Sequence, residues 1–136
     1  MIEPFWVDIS DVCILHNEII AESGSTSGIL NQGALDSTLN KPKNLYHYSD
    51  DLNLYELAAS YGYGLTKNHC FIDGNKRIAF ITAYTFLLNN GIEIVASEID
   101  ATNIFLELAA SLESQEKDLD KLAKWLQANS NLISDR

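Results

Sequence analysis

Positive charge is scarce in this chain: nine Lys and Arg residues stand against nineteen Asp and Glu, for a formal net charge of -10 over 136 residues. A nucleic-acid binder normally shows a basic face that neutralises phosphates, so direct nucleic-acid binding and nuclease activity are disfavoured. Long apolar runs are missing too, which argues against a membrane span. The start, Met1-Ile2-Glu3-Pro4, lacks a basic region followed by an apolar stretch and a small-residue cleavage site, so a cytoplasmic protein is expected. Cys13 and Cys70 stand at no disulfide or zinc spacing and agree with a reducing compartment. There is no internal repeat and no Walker loop, and Gly62-Tyr63-Gly64 lacks the third glycine and strand context of a dinucleotide fold. The acidity aids solubility and would suit a partner with a basic surface.

What is present describes a globular protein. The hydrophobic fraction of 46% and charged fraction of 21% fit a single domain over 1–136, long enough to bury a core without staples. Ile9, Val12, Cys13, His16, Ile19 and Ile20 form one helical stripe over 10–22, followed by the loop Gly24-Ser25-Thr26-Ser27-Gly28. Asn31 caps a short helix that Pro42 should end, leaving 40–50 as a loop or short hairpin suited to a binding flap. Leu54, Leu57, Ala58, Tyr61 and Leu65 predict a long helix to about 68, whose Gly62 and Gly64 imply a closely crossing partner, expected to be the next helix. That helix, 76–89, is apolar almost all round and should lie at the centre of a bundle. Ile92-Glu93-Ile94-Val95 reads as a brief extended segment, Ser97 with Asp100 as a capping pair, and 117–128 as a final helix before a polar, frayed tail at 129–136. The expected fold class is all-α, a compact bundle of five to seven helices by a rough count.

Between the two central helices lies His69-Cys70-Phe71-Ile72-Asp73-Gly74-Asn75-Lys76-Arg77. Asn75 is a good N-cap residue, which places Lys76 and Arg77 in the first turn of a helix, where each cation costs ~0.3–1 kcal/mol against the dipole. Breaking that rule twice points to an anion that offsets the repulsion. Gly74 admits positive φ and a close phosphate, and the N–H groups after Asn75 face that anion. Arg77 can bind two phosphate oxygens with its planar fork, and Lys76 adds a mobile point charge. Asp73 would be repelled by phosphate unless a cation such as Mg2+ lay between them, so it reads as a metal ligand. His69 can accept a proton near neutral pH and so activate a hydroxyl nucleophile. Its place at a helix C-terminus favours the charged form, whereas Lys76 and Arg77 oppose it.

Taken singly, these residues have ordinary readings: a helix cap, a common turn, a solvated basic face. Their coincidence in one turn favours a site. Cys70 is expected to pack rather than act as a nucleophile, Phe71 to point into the core, and His16 to be a satisfied core histidine. His47 has no metal partner at usable spacing.

The stretch from His69 to Arg77 resembles the signature of the Fic/Doc family: histidine, phenylalanine two residues on, an acid, a small residue, asparagine, glycine or lysine, and arginine. Gly28-Ile29-Leu30, Gly33-Ala34-Leu35-Asp36-Ser37, Tyr55-Glu56-Leu57-Ala58 and Asn89-Asn90-Gly91 resemble its Doc (death-on-curing) branch, small helical toxins encoded with an antitoxin. The resemblance implies a Fic-fold domain with His69 as base, Asp73 as the Mg2+-associated acid, and Gly74, Asn75, Lys76 and Arg77 as the cradle of ATP phosphates. It further implies phosphate transfer to a hydroxyl of elongation factor Tu, arresting translation. AMP-transferring members usually carry glycine where this chain has Lys76 and a second arginine where it has Phe80, expected to be buried here; both departures favour the Doc branch. Gly74 is usual in the AMP-transferring members and keeps an AMP transferase as the alternative, beside an inactive protein-binding module. Cys70 stands where the family often has proline. The family flap would be 40–48, aligning the target as an added strand. The family's inhibitory pattern, Ser or Thr with Glu four residues later and then Gly or Asn, is missing, which favours inhibition in trans by a separate antitoxin that folds on binding.

Overall fold

Each helix start in this chain can be traced to a particular residue. The computed structural model describes residues 2–49 and 51–133. Among them are α1 (Ile9–Ser23), α2 (Gln32–Tyr48), α3 (Leu54–Lys67), α4 (Asn75–Asn89), α5 (Glu98–Ala110) and α6 (Gln115–Ala128), with two short strands, β1 (Ile92–Ile94) and β2 (Ser130–Leu132). Asp8, Asn31, Asn53, Ser97 and Ser114 cap α1, α2, α3, α5 and α6, each side chain accepting a backbone N–H three residues on. The all-α expectation holds, and no helix among the described residues is long and apolar enough to cross a membrane.

The core forms around α3 and α4, which pack extensively on each other, with α2 and α6 against α3 and α1 and β1 against α4. Gly62 and Gly64 do mark close crossings, though not with the next helix. A Cβ on Gly64 would lie 2.6 Å from the Thr38 methyl of α2, and one on Gly62 would lie 3.1 Å from Leu122 of α6 and 3.2 Å from Phe105 of α5. α4 packs on other parts of α3, so the glycines admit α2, α5 and α6.

Pro42 does not end α2. It sits inside the helix and is buried there. Leu35, Thr38, Leu39 and Pro42 form one buried stripe at three- and four-residue steps, and burying that stripe outweighs the loss of one N–H donor. The expected flap at 40–48 is therefore helical. The strand pairing lies elsewhere: β1 pairs antiparallel with β2 in the register Ile92 with Leu132 and Ile94 with Ser130. Residues 130–132 of the expected frayed tail are thus paired, and 134–136 lie outside the described residues. β1 falls on the extended segment expected at 92–95, whereas in 130–132 three residues are too few for alternation to show.

Both ends of the described chain meet the tail of α4. The Asn90 carboxamide accepts the Phe5 N–H at 2.9 Å and donates to the Phe5 carbonyl at 3.0 Å, while the Ile133 N–H donates to the Gly91 carbonyl at 2.9 Å. Deeper in, the Tyr61 hydroxyl accepts the Val7 N–H at 3.1 Å and lies 3.3 Å from the Val7 carbonyl. Tyr61→Phe is expected to leave these two groups without that partner in a dry interior, costing about 1–3 kcal/mol as a lowered urea midpoint. Burial pushes the Tyr61 phenol up to about 12. The folded state therefore keeps this proton after the unfolded chain has released it near pH ~10. The linked stability is complete below that pH and is lost as pH rises towards about 12. The variant should lack this part of the alkaline decline.

Candidate active site

The turn joining α3 to α4 is built from the backbone outward. On one side it is held by residues 28–31, which run antiparallel to it. The Leu30 and Asn31 N–H groups both donate to the Cys70 carbonyl, at 2.8 and 3.1 Å, Ile29 bridges Phe71, and the Ile72 N–H donates to the Gly28 carbonyl at 3.1 Å. This extended segment, rather than 40–48, lies along the turn.

Asn75 grips the turn from the other side. Its Oδ1 accepts the Phe71 N–H at 3.1 Å and its Nδ2 donates to the Phe71 carbonyl at 2.9 Å, so the carboxamide does what a neighbouring strand would do. Asn75 was expected to cap α4; instead Gly74 is the N-cap and Asn75 the first helical residue. Gly74 has φ +79°, a left-handed conformation open to glycine, and a Cβ there would meet His16 Nε2 at 3.4 Å. The consequence is that α4, unlike the other five helices, has no side-chain cap hydrogen bond. The N–H groups of Asn75, Lys76 and Arg77 are left free for an anion.

His16 proves more than a satisfied core residue. It is buried in α1, its ring stacks on Phe71 with centroids 3.8 Å apart, and its Nε2 lies 2.7 Å from the Asp73 carbonyl. A carbonyl can only accept, so this nitrogen carries the proton. No sequence pattern announces this contact, because the partners lie 57 residues apart. Thr26 is a second unanticipated contributor: its N–H donates to Asp73 Oδ2 at 3.1 Å and orients the carboxylate.

The residues expected to form the site are thus carried on one braced turn. His69 is exposed just beyond the end of α3, in a left-handed conformation with φ +48° that costs a non-glycine residue about 1–2 kcal/mol. The neighbouring bonds hold it there, among them Asn68 Nδ2 to Thr38 Oγ1 at 2.8 Å. Asp73, Lys76 and Arg77 are exposed as well, and neither cation has a carboxylate partner among the described residues. Phe71 and Cys70 are buried as expected. Burial pushes the Cys70 thiol up, which suits packing against Thr38 and not nucleophilic attack. Phe80 was expected to be buried and is only half-buried, its ring 5.8 Å from Phe105 and 6.0 Å from Tyr84.

A divalent metal held by protein alone does not fit here, since no group of three or more His, Cys, Asp or Glu side chains among the described residues could hold one. A Mg2+ ion carried by nucleotide phosphates does fit. Such an ion keeps several waters and needs one or two carboxylates, and Asp73 offers one on the turn that carries the free N–H groups and two cations without a carboxylate partner among the described residues.

Fold and site together define a helical domain whose central helix starts with uncapped N–H groups, on the same turn that carries an exposed histidine. The sequence profile of the Fic/DOC family matches residues 6–87, and the chain belongs to that family. It is similar to the protein named Toxin Doc from Mycolicibacterium smegmatis, at 30% identity over 102 residues, covering 74% of this chain and 76% of the relative. It is also similar to the protein named Protein kinase doc from Escherichia phage P1, at 28% identity over 87 residues, covering 64% and 69% respectively.

Replacing His16 tests the brace. His16→Leu keeps the bulk but loses the donor to the Asp73 carbonyl, and should cost about 1–3 kcal/mol of stability, read as a lowered urea midpoint. Asn75→Ala should speed amide exchange at Phe71 and Ile72 more than elsewhere.

Proposed function

We propose that this chain is a cytoplasmic Doc-like toxin that transfers the γ-phosphoryl group of ATP to a hydroxyl side chain of a protein target. Elongation factor Tu is the target that the family resemblance implies, with arrest of translation as the outcome and a cognate antitoxin acting in trans. The observation that carries the reading is the head of α4, where free N–H groups and two cations with no carboxylate partner among the described residues share one turn with an exposed histidine. The names of the two relatives, one a toxin and one a protein kinase, support it.

In this reading the N–H groups of Asn75, Lys76 and Arg77 take phosphate oxygens, and the Arg77 guanidinium and Lys76 ammonium balance their charge. The His69 imidazole accepts the proton of the target hydroxyl as its oxygen attacks the γ-phosphorus. The bond from that phosphorus to the bridging oxygen breaks, ADP departs with the electron pair, and His69 returns its proton to solvent. Asp73 is the residue that would hold a Mg2+ ion, which would neutralise further phosphate charge. The target lies along residues 26–30, next to the turn, where Ile29, Leu30 and Ile72 expose apolar surface.

The alternative is AMP transfer with the nucleotide reversed. Gly74 favoured it at first, yet its backbone angle and the neighbouring His16 ring account for a glycine there irrespective of the chemistry. ATP labelled at the α- or the γ-phosphate separates the two. With purified protein, Mg2+ and a cell lysate, γ-label alone should move to protein, and α-label alone would overturn the kinase reading. His69→Ala should lose at least ~100-fold in rate and relieve growth arrest. Failure of either label to move, with growth unaffected by His69→Ala, would favour a binding module.

A further inference from the structure

His69 follows the C-cap of α3, Asn68, and takes the left-handed conformation at φ +48°, whereas Asn68 itself has φ -91°. The position just past a helix C-cap is where chains most often place glycine, because a Cβ is disfavoured there. A histidine in that conformation persists only where its surroundings hold it. The residues on either side of His69 share one anchor. Asn68 Nδ2 donates to the Thr38 hydroxyl oxygen at 2.8 Å, and Cys70 Sγ lies 3.7 Å from the same oxygen.

Thr38 lies in the middle of α2, 30 residues before Asn68, and is buried. Threonine is a modest helix former, and a buried hydroxyl is costly unless it is hydrogen-bonded. Both partners of this hydroxyl belong to the start of the turn. Gly64 gives Thr38 its place. A Cβ at 64 would stand 2.6 Å from the Thr38 methyl and 3.6 Å from Asn68 Nδ2, so any side chain there would displace the threonine and crowd the amide it holds. The Asn68 N–H also donates to the Gly64 carbonyl at 2.9 Å, which ties the same three residues together through the backbone.

We infer that Thr38 is a positioning residue, whose hydroxyl holds His69 in its left-handed conformation by binding Asn68 and Cys70 at once. The inference rests on His69 being the base of the proposed transfer. Thr38 acts through the backbone of 68–70 and not on the reacting groups. The cost of a left-handed residue is of the same order as the net worth of one hydrogen bond, so loss of the hydroxyl shifts the balance at His69. A base that leaves its productive geometry loses rate steeply. Nucleotide binding should suffer less, because the head of α4 has its own anchors, the Asn75 clasp on Phe71 and the His16 contact with the Asp73 carbonyl. Removing one hydroxyl of α2 thus separates the base from the phosphate cradle.

The test compares Thr38→Val, which keeps the shape without the hydroxyl, with Thr38→Ser, which keeps the hydroxyl. A left-handed residue brings its own amide and α protons close together, which gives a strong cross-peak between them in NMR spectra of the free chain. At His69 that cross-peak should weaken in Thr38→Val and persist in Thr38→Ser. In γ-phosphate transfer Thr38→Val should lose at least ~10-fold in kcat, with its KM for ATP within ~2-fold of the unmodified chain, and Thr38→Ser should restore the rate. An undiminished cross-peak in Thr38→Val, a loss that falls on KM or on neither constant, or equal damage in Thr38→Ser would each overturn the inference. If Thr38→Val does not fold, Asn68→Ala removes the same bond from an exposed residue and is read by the same criteria. If the unmodified chain transfers no γ-phosphate, the phosphotransfer reading fails by itself, and the cross-peak alone decides whether Thr38 sets the His69 backbone.

Discussion

The two hydrogen bonds between the Asn75 carboxamide and the Phe71 backbone are the constraint on which the rest of the site depends. A side-chain oxygen at a helix start can either cap the helix or bind elsewhere. Had an asparagine capped α4, it would have satisfied an N–H group of the first turn. This chain spends its asparagine on the preceding turn and puts a left-handed glycine at the cap. Phe71 is thereby fixed in the core against His16, the Asp73 carbonyl meets the His16 ring, and α4 begins with its donors exposed. Rigidity in the turn and vacancy at the helix head are two results of one choice.

Much of the fold was legible because its signals are local. Ser97 and Asn31 cap where their spacing to the next helix predicts, and the turn from His69 to Arg77 is contiguous in sequence. What escaped was settled by tertiary packing. Pro42 reads as a helix end by propensity and is overridden by a buried stripe that continues through it. Gly62 and Gly64 announced a close crossing without saying with which helix. β2 is visible only through β1, far away in the chain. The bracing roles of His16 and Thr26 follow from contacts across many residues, to which no motif spacing applies. Asn75 illustrates a subtler failure: its residue type was read correctly as a hydrogen-bonding device, but the choice between cap and clamp depends on the backbone before it.

The strong acidity of the chain does not conflict with an anion site. Exposed charges more than about 8 Å apart are largely screened at physiological salt, so the overall charge of -10 does little at the head of α4. Close range decides, and there Lys76 and Arg77 stand without carboxylate partners among the described residues. Keeping carboxylates out of ion-pair reach of Lys76 and Arg77 matters more than the total balance; two others, Glu116 and Asp118, stand in the first turn of α6, where they suit the helix dipole.

The tail of α4 is tied to Phe5 on one side and to Ile133 on the other. Protein synthesis is vectorial, so the turn from His69 to Arg77 leaves the ribosome well before the strand that closes the far end of its helix. Contacts so distant in sequence form late and slowly. A nascent chain therefore carries every residue of the candidate site before it has the framework that holds them still.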